Sequence, residues 1–255
     1  MRKRRQYRGF SLTEVLLAVA TLAIGMIFIS GTFLTGIHFS TISTERTIAA
    51  VVADEAFSKV RMYGNADTGW LSGLSTTSCV DFNDVNSVVP LDPDEFAYPS
   101  TKTLTEKHYC WSALCRPVYS NPDNRLVQVT VFISRKTGAN TQYRSPVDPL
   151  NLSIWYPRLV TVGVSGTGGD NFLRIEAGKE TFINDGYTIV ENGTGRIYRV
   201  LERYASPDNN MIRLDRPLPA GQINTPWSGL VWVIPPPVGG GRYPCIEVYQ
   251  RLIKF

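Results

Sequence analysis

The chain has 255 residues and a mass of 28.4 kDa, which suits one large folded domain or two small ones. Its apolar content of 43% and charged content of 19% are typical of a folded protein and exclude general disorder. The formal net charge of +4 arises from five basic residues among the first nine, and the remainder is nearly neutral, so no clear basic face predicts nucleic-acid binding.

A long apolar segment follows the basic start of the chain. No charged residue or histidine occurs from Val15 to Ile37, and 23 residues in a helix reach roughly 35 Å, enough to cross a bilayer. The run is too long for the core of a secretory signal peptide, and no A-x-A-like site closes it. The positive-inside rule then places the leader in the cytoplasm and the C-terminal part outside it.

Glu14 lies at the start of this apolar segment. A plain membrane anchor leaves this carboxylate as a penalty, because a central acidic residue costs about 2.5–3.5 kcal/mol on insertion scales and less near a helix end. Cleavage between Gly9 and Phe10 would create an α-amino group four residues from Glu14. That amine could pair with Glu14 of its own helix or of a neighbouring helix, and pairing between helices would align their association.

The segment "RGFSLTEVLLAVATLAIGM" closely resembles the type III signal of type IV pilins and type II secretion pseudopilins. The resemblance covers roughly the first 35 residues. It implies that prepilin peptidase cuts after Gly9 and methylates the new amino group of Phe10, and that Glu14 supplies the assembly charge. It further implies three partners besides the peptidase: other pilins or pseudopilins, an inner-membrane assembly platform and the lipid bilayer.

Three glycines interrupt the apolar segment, at Gly25, Gly31 and Gly36. Major pilins commonly carry a proline near the middle of this helix, where the present chain has Gly31. Glycine costs a helix roughly 1 kcal/mol relative to alanine, so these positions would let the helix stretch or bend on entry into a filament. The alternative is that small residues allow close helix packing in the membrane.

The region from residue 10 to residue 64 is predicted to be one helix, apolar at first and amphipathic after Thr44, with a stop at Gly64. Residues 65–164 are predicted to form the antiparallel sheet on which this helix packs, which gives an α+β headgroup. The strands are expected at Tyr109–Tyr119, Arg125–Arg135 and Arg158–Val164.

Residues 165–242 are predicted to be an additional β module, with the glycine-rich segment Ser165–Asn171 as its linker. Four strands joined by turns favour a small barrel or sandwich. Residues 243–255 form a final alternating strand. It returns to the first sheet if the module is an insertion, or it closes the second module.

The four cysteines, Cys79, Cys110, Cys115 and Cys245, form an even set in a compartment that permits disulfides. Possible disulfides are therefore predicted without a pairing, and four free buried thiols are the alternative. Cys110 and Cys115 are five residues apart, so they are expected to face opposite sides of a strand. The spacing contains no CxxC pair and does not indicate zinc.

No catalytic constellation is recognised, and neither an enzyme activity nor a cofactor is predicted. His38 and His108 lie in no triad or metal spacing. The acidic segments "DFNDVN" and "DPDE" could offer oxygen ligands to Ca²⁺, but turn residues explain them better, so no metal site is predicted.

The sequence therefore predicts a minor pilin or pseudopilin, a non-enzymatic filament subunit located in the inner membrane with its C-terminal domain outside the cytoplasm. Two alternatives remain open. One is a membrane-anchored extracytoplasmic binding module that does not polymerise, and the other is a component of a DNA-uptake pilus.

Overall fold

A computed structural model describes residues 11–66, 69–85, 93–99, 107–121, 125–138, 140–205, 208, 210–218 and 225–255. The chain divides into two compact units, Met1–Thr47 and Ile48–Phe255. One long N-terminal helix, antiparallel sheets and a closed β-barrel confirm the predicted α+β class with an all-β module.

Helix α1 (Leu12–Ala66) begins after Ser11 and continues two residues beyond the predicted stop at Gly64. The prediction of a capping glycine was wrong, because Gly64 serves packing. A Cβ atom at this position would lie 2.5 Å from Cε1 of Phe255. The Gly64 carbonyl also accepts a 3.0 Å hydrogen bond from the indole of Trp70. Two aromatic side chains thus approach the helix backbone where a larger residue would clash.

The first sheet is antiparallel and has three long strands, β3 (Tyr109–Pro117), β4 (Leu126–Arg135) and β13 (Cys245–Lys254). Its strand order is β1-β3-β4-β13, where β1 is Val80–Asp81, and the short β2 (Ala97–Tyr98) pairs with β3. Strand β13 pairs with β4 along its whole length. This pairing confirms that the C-terminal strand returns to the first sheet.

One hydrophobic core contains side chains from the part of α1 after Thr47 and from one face of the sheet. The alternating Val127, Val129, Val131 and Ile133 of β4 are almost completely buried in it. The helix contributes alanines and larger apolar residues at helical spacing, namely Ala49, Val52, Ala53, Ala56, Phe57 and Val60.

The barrel is closed and has six strands in the order β10-β11-β8-β7-β12-β9. It begins at Val160, within the range predicted for the headgroup, and Ser165–Asn171 is not a linker. This glycine-rich segment instead ends one strand and turns into the next. The strands are β7 (Val160–Thr167), β8 (Phe172–Ile175), β9 (Thr188–Glu191), β10 (Ile197–Arg203), β11 (Met211–Leu214) and β12 (Pro226–Val233).

Several short elements complete the described part of the chain. Strands β5 (Tyr143–Arg144) and β6 (Ser153–Ile154) form a two-stranded hairpin that follows β4 and precedes β7 in the chain. The other elements are α2 (Phe82–Val85) and the 3₁₀ helices Gly69–Gly73, Pro93–Phe96 and Glu180–Phe182.

The turn between β9 and β10 connects the barrel to the first sheet through hydrogen bonds. The amide of Cys79 donates a 2.8 Å hydrogen bond to the carbonyl of Asn192. The side-chain amides of Gln128 and Gln250 both donate to the carbonyl of Gly195, at 3.1 and 2.8 Å. The donors belong to the residue before β1, to β4 and to β13, so these hydrogen bonds join the first sheet to the barrel at the β9–β10 turn.

A buried ion pair provides a second connection. Arg158, which precedes β7, donates a 3.1 Å hydrogen bond through Nη2 to Oδ2 of Asp81 in β1. The Arg158 guanidinium also lies 5.5 Å from the centre of the Phe96 ring. Burial raises the pKa of the Asp81 carboxyl, while Arg158 and the amide of Asn83 oppose this effect. The ionised form of the buried Asp81 carboxyl is therefore stabilised by these two donors.

Candidate functional site

Ser11 and Glu14 form a reciprocal pair of hydrogen bonds at the start of α1. The amide of Glu14 donates to Oγ of Ser11 at 3.3 Å, and the amide of Ser11 donates to Oε2 of Glu14 at 3.4 Å. This is a capping box, in which the Glu14 carboxylate accepts from the Ser11 amide and the Ser11 hydroxyl adds to the 3.1 Å bond between the Glu14 amide and the Ser11 carbonyl. Sequence reasoning missed Ser11, although the S-x-x-E spacing before an apolar run is the signal for this motif.

The capping box also fixes where the Glu14 carboxylate lies. The predicted cut site, Gly9 and Phe10, lies outside the described residues. However, the Ser11 nitrogen that contacts Glu14 is bonded directly to Phe10 in the chain. The Glu14 carboxylate is therefore hydrogen-bonded to the residue that directly follows Phe10, whose α-amino group would be created by cleavage after Gly9.

The helix that follows Glu14 is apolar on all sides. Fifteen large apolar side chains from Leu12 to Phe39 are each at least 50% exposed. By length and composition, α1 is suited to crossing a membrane. The hydroxyls of Thr21, Thr32 and Thr35 donate to backbone carbonyls of the preceding turn, so these polar groups are satisfied without water.

The three predicted flexibility glycines all lie inside α1. A Cβ atom added at Gly25, Gly31 or Gly36 would have no neighbour within 4 Å beyond the adjoining residues of the helix itself. Packing within the chain therefore does not require glycine at these positions. Both earlier interpretations, helix bending and close packing against another helix, stay predictions.

The structure contains none of the possible disulfides, and Cys79, Cys110, Cys115 and Cys245 are all free and buried. Cys110 and Cys245 each pair with Ser134 from opposite sides, so two strand spacings, about 9–10 Å, separate their backbones. This distance exceeds the Cα separation that a disulfide allows. Cys79 directly precedes β1, and Val80 of β1 is the cross-strand partner of Cys115. The two cysteine side chains pack in different hydrophobic clusters.

The buried thiols are expected to be unreactive in the folded protein. Burial raises the pKa of Cys79, Cys110 and Cys245 to about 12 and also raises that of Cys115. At pH 8 the thiolate fraction is then on the order of one in ten thousand at a pKa of 12. Iodoacetamide should leave the native protein unmodified and alkylate all four thiols in guanidinium chloride. Mass spectrometry that finds rapid native labelling, or fewer than four alkylated thiols after denaturation without reductant, would contradict this placement.

The described ranges were compared with the arrangements that metal ions require. Within them, no group of three or more His, Cys, Asp or Glu side chains is arranged to hold a metal ion. His38 lies in α1 and His108 directly precedes β3. Asp81, from one of the acidic segments, is committed to the buried pair with Arg158. Asn86 and Asp92 of these segments lie outside the described residues.

Comparison with known proteins gives no further assignment: no family model, no curated protein and no solved structure matches the chain.

Proposed function

We propose that the chain is a minor pilin or pseudopilin, a filament subunit that prepilin peptidase processes between Gly9 and Phe10 and methylates on Phe10. The observation that carries this proposal is the Glu14 carboxylate. It is held at the very start of a helix whose apolar side chains are exposed in every direction.

The exposed apolar surface has to be covered by lipid or by other helices. A helix for simple anchoring needs no carboxylate at this place, and the charge opposes insertion. An amine created at Phe10 supplies an opposite charge next to Glu14. In an assembly, the amine of one subunit neutralises Glu14 of its neighbour, and the requirement for neutralisation aligns the helices.

The second unit is the part that such a filament would display. Its sheet and barrel are joined by buried polar contacts, and we assign it no enzymatic role. Processing and assembly take place at the inner membrane, on a platform shared with other pilins or pseudopilins. The basic leader orients the second unit outside the cytoplasm. The interpretation of the core shared by α1 and the first sheet as a pilin headgroup is part of this proposal.

Mass spectrometry of the full chain co-expressed with a prepilin peptidase tests the proposal. We expect loss of the nine leader residues and the gain of one methyl group on Phe10. The variant Gly9→Ala should keep its leader, because the peptidase needs glycine before the cut.

A known prepilin expressed beside the same peptidase provides the control for enzyme activity. If that control is cut while the wild-type chain stays intact, the filament proposal fails. The chain would then be better described as a membrane-anchored binding module. Equal processing of the wild type and of Gly9→Ala would also contradict the predicted cut site.

A further inference from the structure

Strand β13 lies at one end of the first sheet. It pairs with β4 on one side, and no strand in the described part of the chain pairs with its other side. The amide of Phe255 donates to the carbonyl of Arg125 at 3.0 Å. Because backbone groups alternate in direction along an antiparallel strand, the N–H and C=O groups of Leu252 and Lys254 point away from β4. They form a short hydrogen-bonding edge that is open to another chain.

A groove runs beside this edge. Its opposite wall is the exposed face of α1 at Asp54, Ser58 and Arg61, and its volume is about 460 Å³. Arg251 forms the floor, where Nη2 lies 2.7 Å from Oδ1 of Asp54 and the guanidinium lies 4.6 Å from the centre of the Phe57 ring. The groove thus has a backbone edge on one side and a helix on the other, which is the shape that an extended peptide fits.

The charges of the groove determine which side chains of a bound peptide are favoured. On the helix side of the groove Asp54 neutralises Arg251, whereas Arg61 has no ion-pair partner among the residues that the structure describes. Lys254 adds a positive charge on the opposite face of β13. The groove therefore carries excess positive charge, which favours acidic side chains. A second copy of the same edge would bring the same excess positive charge, so pairing of β13 with itself is unfavourable.

We propose that this groove binds an extended acidic segment of a different protein, which adds to the first sheet as a strand antiparallel to β13. An antiparallel strand continues the pairing of this sheet and is slightly more stable per residue than a parallel one. Acidic side chains on the helix side of the added strand face Arg61. The inference does not depend on leader processing or on filament formation.

A synthetic peptide of alternating glutamate and valine residues, acetylated and amidated at its ends, provides the probe. In the antiparallel arrangement, each peptide residue that bonds to Leu252 or Lys254 has its side chain on the same face as those residues. Residue alternation places Arg251 on the helix side and Leu252 on the opposite side, so valine amides bond to β13 while glutamates face α1.

Two methylated peptides test this geometry with the full chain in detergent micelles. Methylation of the valine amides should weaken binding at least about tenfold, because it removes the hydrogen bonds to the edge. Methylation of the glutamate amides should change affinity by less than about threefold. Fluorescence polarisation of labelled peptides measures the dissociation constants. Equal binding by all three peptides, loss with the glutamate-methylated peptide alone, or no binding of the parent peptide would overturn the proposal.

Protein variants test the protein side of the groove. Arg61→Glu should weaken binding about fivefold at low salt, and Arg61→Lys should retain it. Arg199→Glu reverses a charge on an exposed residue of the barrel and is the matched control. Leu252→Pro removes an outward N–H that β4 does not use, and it should reduce binding about tenfold. Thermal unfolding verifies that each variant is folded. If Arg61→Glu and Arg199→Glu have equal effects, the charge assignment of the groove is wrong.

Discussion

Replacing Arg158 with alanine is expected to lower the free energy of unfolding by about 3–5 kcal/mol. The substitution leaves the Asp81 carboxylate, which is only 2% exposed, without the cation that neutralises it. The remaining donor to this carboxylate is the amide of Asn83, at 3.0 Å. A lone amide does not replace the charge, so the variant has to bury an uncompensated carboxylate, protonate it, or expose the contact between the barrel and the first sheet to water.

Urea unfolding of the full chain in detergent micelles, followed by tryptophan fluorescence, measures this loss. Arg174→Ala is the matched control, because Arg174 is paired with Asp208 at the surface, where both side chains are about half exposed. That control should change stability by less than about 1 kcal/mol. The double variant Arg158→Leu with Asp81→Leu should recover part of the stability, since it removes both charges. A loss below about 1 kcal/mol for Arg158→Ala would mean that water reaches Asp81.

The sequence was informative about elements whose pattern is local. The apolar run and its amphipathic continuation predicted α1 to within two residues at each end. The alternating valines of β4 indicate the face that enters the core shared with α1. The other face of the strand is buried as well, at Thr130, Phe132 and Ser134. Five of the six barrel strands were also predicted as strands, because each is a short run between turn residues. One of them, β7, was assigned to the headgroup as Arg158–Val164, and β8 was missed.

The N-terminal boundary of the barrel was mispredicted because glycine occurs both in flexible linkers and in tight turns between strands. Ser165–Asn171 resembles a flexible linker in composition, but a Cβ atom at Gly166 would lie 2.7 Å from the carbonyl oxygen of Phe172. Gly169 has a φ of 84°, a conformation that favours glycine. These glycines permit a tight hairpin and a close approach of two strands. Composition alone does not separate this role from flexibility.

Contacts between residues that are far apart in the chain could not be predicted from the sequence. Arg158 and Asp81 are separated by 77 residues, and neither stands in a recognisable motif. The placement of the cysteines likewise depends on strand register, because Cys110 and Cys245 become neighbours of Ser134 only once three strands are aligned. By contrast, Ser11 was predictable, since its capping box with Glu14 spans four residues.

Glu14→Gln is expected to reduce incorporation into filaments at least about tenfold, even though the helix keeps its cap. Glutamine also serves at the third position of a capping box, so the hydrogen bond from Ser11 can be retained. The substitution removes the negative charge alone. The amine of a neighbouring subunit would then enter an apolar environment without a counter-charge, which is strongly unfavourable.

Ser11→Ala is the matched variant, because it removes the cap and leaves the charge in place. It should weaken the first turn of α1 by about 1 kcal/mol and change incorporation by no more than about threefold. Quantitative immunoblotting of purified filaments, normalised to the processed protein in the membrane, measures both variants. If Ser11→Ala loses as much incorporation as Glu14→Gln, the loss is not specific to the charge and the charge-pair prediction is wrong. A large loss confined to Glu14→Gln assigns the carboxylate to contacts between subunits. The normalisation removes differences in membrane insertion, and Glu14→Gln is the variant that lacks the charge.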